Sequence, residues 1–387
     1  MADKQNAELL IDVIRAALNE ENDGSLSERL SAQSLRSLYE VAREYDMAHL
    51  VGYVLERLGR TATPTEQEYI RLYMFAVGRC ERSVQELSEI SRVLGAHGIA
   101  HLPLKGAVLR ELYPGRWMRT SSDIDVLVKK EHIENVRELL QTELGYEFDQ
   151  ASDHDLAFTA PGGDRFELHF SLIEDGVVGR ADEPLRDVWQ YASATPGQPY
   201  RMALSPEMFY YYHIAHMAKH FVQGGCGLRP FADIWVMLGK LSMDRAACER
   251  LLEAGGLTRF ARHAEQLARV WFGGQSHTDV TRRMQAFLLT GGEFGTYENR
   301  AAVAQNKKGG KVRYALSRIW LNYRQMCVFY PSLKGRAYLL PVYEVWRWLR
   351  LIFGGGVRRS VVELRANAAV TQDQRENTAR MLNELGL

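Results

Sequence analysis

Apolar residues recur at helical spacing at both ends of this chain and at strand spacing between them. Near the start, Leu10, Val13 and Ile14 follow the repeat of an amphipathic helix. From about 99 to 172 the pattern changes to short β-branched runs separated by turns, and after 199 it becomes helical again. These patterns predict an α+β protein with three parts: an N-terminal helical region (1–95), a core with a small mixed β-sheet (96–198) and a C-terminal helical domain (199–387).

An Asp-x-Asp pair opens the most informative of these strands. Asp123 and Asp125 lie at the start of the run Asp-Ile-Asp-Val-Leu-Val, so both carboxylates are expected on one face of a strand. Two neighbouring carboxylates repel each other unless a cation lies between them. Mg²⁺ held by one or two carboxylates and by substrate phosphates is the usual solution. The alternative is that one Asp caps a turn and the other is solvated.

A Lys-Gly turn precedes this strand by one short helix. A strand is predicted to end near Leu104, and a helix is predicted over 107–112. Gly106 lets the backbone approach a phosphate, the helix offers unpaired N–H groups, and Lys105 adds a positive charge beside them. Arg119, four residues before the first Asp, is suited to bind a triphosphate oxygen through two parallel hydrogen bonds.

Glu167 is predicted to complete a set of three carboxylates. The alternating run from 164 to 170 predicts a strand that carries Glu167 and His169 on one face. If this strand lies beside the Asp strand, then Asp123, Asp125 and Glu167 can bind two Mg²⁺ or Mn²⁺ ions about 3.5–4 Å apart. His169 is expected just behind these ligands. Asp155 is the second choice for the third carboxylate, because its own strand alternates less cleanly.

These residues resemble a known superfamily. Gly106 with its helix, Arg119, the Ser122-Asp-x-Asp motif and the later strand carboxylate are similar to the nucleotidyltransferases that include DNA polymerase beta and the antibiotic nucleotidyltransferases. The Lys-Gly opening and the Glu-Leu-His strand are similar, more narrowly, to a branch of uncharacterised bacterial nucleotidyltransferases. The resemblance implies a mixed-sheet core flanked by helices. It also implies an NTP such as ATP, with transfer of its NMP to an acceptor and release of pyrophosphate.

The resemblance also implies roles for individual residues. Asp123, Asp125 and Glu167 would be catalytic metal ligands, while Lys105, Gly106, Arg119 and Ser122 would hold the nucleotide. Ala107 stands where the superfamily normally has a serine, so a hydroxyl contact to the nucleotide is missing. A relative that binds nucleotide without turnover is therefore one alternative function.

A second helical part is predicted to begin at Ser205-Pro206-Glu207, which combines an N-cap, a proline at the first helical position and an early acid. Its first helix carries a stripe of polar residues, namely His213, His216, Lys219 and His220. Three interpretations remain open: a zinc site, a structural stripe, or a cleft wall. In the last, which the resemblance supports, Lys219 and His220 contact the nucleotide or acceptor, and His216 lies behind them. Asp233 is expected to bond one of these histidines or to pair with Arg229.

The span 306–365 is basic and aromatic with few acids, and it includes Trp320, Tyr323, Trp346 and Trp348. A helical bundle with buried aromatics, an RNA-binding surface and a membrane-binding surface are all consistent with this composition. An RNA-end-directed nucleotidyltransferase is therefore the other alternative function. The acceptor stays open among small molecules, peptides or proteins, and RNA.

Length and composition predict an intracellular protein of two or three domains. The chain has 387 residues and a formal net charge of zero, which argues against a strongly charged partner for the molecule as a whole. Its four cysteines are scattered without metal-ligand spacing and are predicted to be reduced thiols. The first residues lack a signal-peptide pattern, and no apolar run is long enough to span a bilayer, so a cytoplasmic location is expected. The glycine-rich run at 291–295 is interpreted as an ordinary loop rather than a phosphate site.

Overall fold

A computed structural model of the chain describes residues 2–21, 24–172, 178–289, 295–353 and 357–387. Of the glycine-rich run at 291–295, only Gly295 lies within the described residues. The described strands are β1 (His101–Pro103), β2 (Asp123–Val128), β3 (Glu147–Ala151), β4 (Asp155–Thr159), β5 (Arg165–His169), β6 (Ala192–Thr195) and β7 (Gln198–Leu204). The described α-helices are α1 (Ala2–Leu18), α2 (Gly24–Arg29), α3 (Ala32–Glu44), α4 (Ala48–Arg57), α5 (Pro64–Ala96), α6 (Gly106–Leu109), α7 (Ile133–Thr142), α8 (Pro206–Val222), α9 (Arg229–Lys240), α10 (Arg245–Ala254), α11 (Thr258–Gly273), α12 (Asp279–Leu288), α13 (Tyr297–Lys308), α14 (Lys311–Ile319), α15 (Tyr323–Phe329), α16 (Leu340–Phe353), α17 (Val357–Ala369) and α18 (Gln372–Leu385).

The strands form one mixed sheet in the order β3-β4-β5-β2-β1-β7-β6. Strand β2 lies in its middle, parallel to β5 and antiparallel to β1. Strand β5 is also antiparallel to β4. The predicted α+β class is confirmed, and so is the predicted position of the Glu167 strand beside the Asp strand.

The sheet buries one apolar face and presents a polar face to a cleft. Ile124, Val126, Phe166 and Leu168 point to the apolar side, where they pack with buried residues of α5 and α7. Side chains alternate along a strand, so the residues between them point the other way, toward α8. This alternation places the acids of β2 and β5 on the polar face.

Local sequence signals account for the two helices that frame the sheet. Helix α5 begins with a capping box, in which Thr63 Oγ1 accepts from the Glu66 N–H and the Glu66 carboxylate accepts from the Thr63 N–H. Helix α8 begins as predicted, because Ser205 Oγ accepts from the Met208 N–H and Pro206 occupies the first helical position. Each helix therefore starts at a residue that the sequence specifies.

The N-terminal and C-terminal helices share one hydrophobic core. Leu10 and Ile14 of α1 belong to the same buried cluster as Phe260 of α11 and Leu385 of α18. Helix α1 contacts α11 as well as its sequence neighbours α3 and α4. The domain limits at 95/96 and 198/199 stay predictions, since nothing about this shared core tests where the chain divides.

Residues 194–199, at the predicted end of the sheet core, contain the turn of a β-hairpin between β6 and β7. Strand β7 continues to Leu204 and pairs in parallel with β1 through Arg201 and His101. Pro196 and Gly197 lie in the turn between these two strands, as is usual for such a dipeptide. No helix among the described residues is both long and apolar enough to cross a membrane.

Candidate active site

The polar face of the sheet brings the predicted acids together. In the parallel pair of β2 and β5, Asp125 lies directly opposite Glu167, and Leu127 lies opposite His169. Asp123 is two residues before Asp125 and therefore on the same face. These side chains line a cleft of about 380 Å³ between the sheet and α8. That volume lies within the range of small-molecule sites, roughly 300–1,000 Å³.

Asp125 is the most buried of these acids and carries two bonded partners. Its Oδ1 lies 2.7 Å from Lys105 Nζ and 2.8 Å from His169 Nε2, while its side chain is only 1% exposed. Burial alone would raise the pKa of Asp125, but Lys105 and His169 outweigh it and hold the pKa well below the ordinary value. Asp125 is therefore a fixed negative charge in the site.

The pKa values of Asp123 and Glu167 shift in the opposite direction to that of Asp125. Burial, and then the neighbouring charge of Asp125, raise the pKa of each above its ordinary value. Asp123 Oδ1 accepts a hydrogen bond of 3.1 Å from Ser121 Oγ, and Glu167 Oε1 lies 3.2 Å from Arg165 Nη2. The set therefore stores electrostatic repulsion that a bound cation would relieve.

The residues present fit a divalent cation. Asp125, Glu167 and His169 each offer a ligand atom, and these atoms lie within 4.8 Å of one another. Asp123 lines the same cleft, so an oxygen-only set suited to Mg²⁺ and a set with one imidazole suited to Mn²⁺ are both available. His169, expected behind the ligands, is also close enough to be a candidate ligand itself. The ligand assignment of Asp123, Asp125 and Glu167 stays a prediction.

The Lys-Gly turn is tightly packed and strained. Lys105 has φ 44° and ψ −123°, a conformation that favours glycine and costs on the order of 1–3 kcal/mol for other residues. A Cβ on Gly106 would lie 2.9 Å from Ser121 Oγ and 3.0 Å from Ser121 Cβ. Gly106 is therefore required by its contact with the segment that precedes β2, in addition to any approach to a phosphate.

Arg119 is held by a buried carboxylate that the sequence did not assign to it. Its Nε donates to Asp233 Oδ1 over 2.7 Å, and Tyr113 Oη donates to the same oxygen over 2.7 Å. Asp233, predicted to bond a histidine or Arg229, lies on α9 and thus holds Arg119, the residue predicted to bind the triphosphate. Arg119 and Ser122 both line the cleft, and Ser122 is exposed there.

A second anchor comes from the N-terminal helices. Asp46, between α3 and α4, accepts from Thr120 Oγ1 over 2.8 Å and from Arg229 Nη2 over 2.5 Å. Asp46 also has a positive φ of 51°. Neither contact was predicted, because residues 74 and 183 positions apart carry no joint pattern in a single sequence. The anchor ties the segment before β2 to helices from both ends of the chain.

Helix α8 forms the wall opposite the acids. The predicted residues His213, His216, Lys219 and His220 all line the cleft. His213 Nε2 lies 3.0 Å from the Pro230 carbonyl, and the Nε2 atoms of His216 and His220 lie 3.2 Å apart. In the part of the chain that the structure describes, these histidines form no cluster of three metal-ligating groups. The geometry therefore favours the cleft-wall interpretation over the zinc site.

Asp155, the second choice for the third carboxylate, lies opposite His169 on β4 and lines the cleft. Its Oδ1 accepts from Ser152 Oγ over 2.6 Å, and Asp155 is outside the group of candidate ligands. Glu167 therefore lies closer to Asp125 than Asp155 does, because Glu167 is paired with Asp125 on the neighbouring strand.

Comparison with known proteins identifies a family to which the chain is similar. A family model described as an uncharacterised nucleotidyltransferase matches residues 31–273. The matched span runs from just before α3 to the end of α11 and contains the whole sheet and every residue of the cleft described above. No curated protein and no solved structure matches the chain significantly.

Proposed function

The chain belongs to this uncharacterised nucleotidyltransferase family, and we propose that it transfers a nucleoside monophosphate from an NTP to an acceptor hydroxyl or phosphate, releasing pyrophosphate. One observation carries the proposal: Asp125 and Glu167 are in register on parallel neighbouring strands, with Asp123 on the same face. All three acids line one cleft. The presence of all three carboxylates in one cleft favours turnover over the non-catalytic alternative.

Asp123, Asp125 and Glu167 would hold Mg²⁺ or Mn²⁺, as two ions, with His169 orienting Asp125. When bound, a divalent cation lowers the pKa of the acceptor hydroxyl and neutralises charge on the phosphates. Asp125 stays ionised because of Lys105 and His169. Its charge is therefore available at neutral pH.

The protein's own groups position the reactants. Lys105 and Lys219 face the cleft from opposite walls and are suited to the phosphates, and Arg119 is aimed by Asp233. The acceptor oxygen attacks the α-phosphorus while the bond from that phosphorus to the bridging oxygen breaks, and pyrophosphate leaves. Glu167, whose pKa is raised by burial and by Asp125, takes the acceptor proton.

Three preparations of acceptor test this proposal and separate the acceptor classes. Protein, RNA and small-molecule fractions of a cell extract are incubated with the enzyme, Mg²⁺ or Mn²⁺, and ATP, CTP, GTP or UTP labelled at the α-phosphate. The expected result is metal-dependent transfer of label into one fraction. Label in the RNA fraction would identify the RNA-end alternative.

Variants test whether that labelling depends on residues of the cleft. Asp125→Asn and Glu167→Gln are expected to reduce labelling by about 100-fold or more, since loss of residues that merely support metal ligands already costs 10–100-fold. Glu147→Gln is the matched control, because Glu147 is an exposed residue of the same sheet on edge strand β3. Undiminished labelling by Asp125→Asn would remove the cleft from the mechanism.

We expect the reaction to occur in the cytoplasm, in keeping with four buried free thiols.

A further inference from the structure

Two C-terminal helices carry apolar stripes that face solvent. On α14 and its cap the stripe consists of Val312, Leu316, Ile319 and Trp320. On α16 and the turn before it the stripe consists of Tyr338, Val342, Val345, Trp346 and Leu349. All nine side chains are at least 42% exposed. Their spacing of three to four residues places each set on one side of its helix.

The opposite sides of both helices are the packed sides. Tyr314 is buried on α14, and Glu344 is buried on α16, where it accepts from the Leu321 N–H over 2.6 Å. Trp348 Nε1 donates to the Ile319 carbonyl over 3.0 Å, which joins the two helices. The solvent-facing stripes are therefore additional to the core, since each helix already buries its other side.

The same segment is strongly basic. Residues 306–365 contain thirteen Lys and Arg against two acids, whereas the whole chain has a formal net charge of zero. Both acids are engaged internally, Glu344 with Arg347 and Glu363 with Arg318. The exposed residues Arg313 and Arg350 flank the stripes at positions that let their long side chains extend beside the apolar residues.

The combination of charge and apolar side chains favours one occupant. A second copy bound through the same surface would bring two cationic segments together, and each has its acids already paired. RNA would satisfy the charge, but aliphatic residues such as Val342, Val345 and Leu316 gain nothing from phosphates and offer no stacking surface. An anionic lipid surface complements both the positive charge and the apolar side chains. Its headgroups attract the cations, and its acyl region accepts aliphatic and tryptophan side chains.

We propose that α14 and α16 form a peripheral docking surface for anionic membrane lipids. The helices lie in the headgroup layer with the Val312–Trp320 and Tyr338–Leu349 stripes facing the acyl chains. The proposal is independent of the chemistry of the cleft, since none of these residues lines it.

The full-length protein tests this directly by sedimentation with vesicles. One set of vesicles is pure phosphatidylcholine, and the other contains equal parts of phosphatidylcholine and phosphatidylglycerol. The expected result is binding to the anionic vesicles at least tenfold tighter than to the neutral ones, weakened by added salt. Acrylamide should quench tryptophan fluorescence less in the bound state. Equal affinity for both vesicle types, or binding to neither, overturns the proposal.

Matched variants locate the surface. Val345→Ser with Trp346→Ser should weaken vesicle binding tenfold or more, and Met74→Ser with Phe75→Ser should not. The control pair is also consecutive, helical and about equally exposed, but it lies on α5. Arg313→Glu with Arg350→Glu should weaken binding in the same way, and Arg36→Glu with Lys240→Glu should not.

Circular dichroism of each variant confirms that it is folded, and the wild-type vesicle measurement does not depend on any variant. Two results would show that this surface binds a different partner and would refute the lipid proposal. One is a wild-type dimer that the Val345/Trp346 variant dissociates while vesicle binding is unchanged. The other is RNA that binds the surface and is released by the Arg313/Arg350 variant, with no vesicle binding by the wild type.

Discussion

Replacement of Lys105 by methionine gives the sharpest test of the electrostatics of the cleft. Methionine keeps the apolar stem of lysine but removes the ammonium that lies 2.7 Å from Asp125 Oδ1. The Asp125 carboxylate, 1% exposed, would keep only its contact with His169. A buried carboxylate without its cation is expected to destabilise the folded state.

The expected loss of unfolding free energy is about 2–3 kcal/mol, at or just below the 3–5 kcal/mol typical of a broken buried ion pair. The lower value applies because the Lys105 side chain is 24% exposed and His169 still contacts Asp125. Lys105→Gly should lose about 1 kcal/mol less than Lys105→Met, because glycine relieves the strain at φ 44°. The two variants thus separate the charge of Lys105 from its backbone conformation.

The sign of the pH dependence follows from the pKa of Asp125. In the wild type this pKa is lowered, so ionised Asp125 stabilises the fold above the unfolded-state pKa of about 3.9. Without Lys105 the burial of Asp125 is no longer offset, and its pKa rises. The deficit of Lys105→Met should therefore be larger at pH 7.5 than at pH 5, where the raised pKa lets Asp125 of the variant take up a proton.

Urea unfolding at pH 5 and pH 7.5, with EDTA and then with Mg²⁺, measures these effects. Lys240→Met is the control, because Lys240 is exposed at the end of α9 and should change stability by no more than about 0.5 kcal/mol. Mg²⁺ without nucleotide should stabilise Lys105→Met more than the wild type, since the ion meets an uncompensated carboxylate. If Lys105→Met is as stable as Lys240→Met at pH 7.5, the proposed electrostatics are wrong.

Three further predictions follow from other contacts. Gly106→Ala should cost about 1–3 kcal/mol because its Cβ would lie within 3.0 Å of Ser121. Urea unfolding should show partial recovery on adding Ser121→Gly, and no loss for Gly95→Ala, whose Cβ meets nothing within 4 Å. Asp233→Asn should cost about 3 kcal/mol and raise the KM for the NTP, because Arg119 loses its buried partner, whereas Tyr113→Phe should cost about 1 kcal/mol; an unchanged KM in Asp233→Asn would disprove the role given to Arg119. In the metal-free protein Asp123 and Glu167 should bind protons above the ordinary carboxylate pKa, because burial and Asp125 raise both pKa values, and an NMR titration in EDTA measures this. Lys105→Met should raise both pKa values further, since Lys105 lowers them, and titration of both groups at or below about pH 4.3 in the metal-free wild type would contradict the proposed repulsion.

The sequence predicted the parts of the fold that depend on short-range patterns. Alternation around Asp125 and Glu167 was enough to place both carboxylates on one face, because a strand has a period of two residues. The capping signal at Ser205 was enough to start α8. Such features need only neighbouring residues, so one sequence suffices to predict them.

Contacts between distant segments were missed for a physical reason. Nothing in the sequence around Asp46 or Asp233 indicates Thr120 or Arg119 as a partner, and only the fold brings them together. Lys105 is predicted to lie beside a phosphate, but its bond to Asp125 was not predicted, because that bond depends on the backbone turn that directs the ammonium. The pairing of β7 with β1 also depends on register across the sheet, which the Pro-Gly turn does not specify.

The core that α1 shares with α11 has a consequence for synthesis of the protein. Leu18 ends α1, and Thr258, which begins α11, is added about 240 residues later. At the usual speed of translation this interval is on the order of 10–50 s. Throughout it α1 can pack against α3 and α4 but has no partner from α11, so a chaperone that covers the uncovered side of this first helix should raise the yield of native protein.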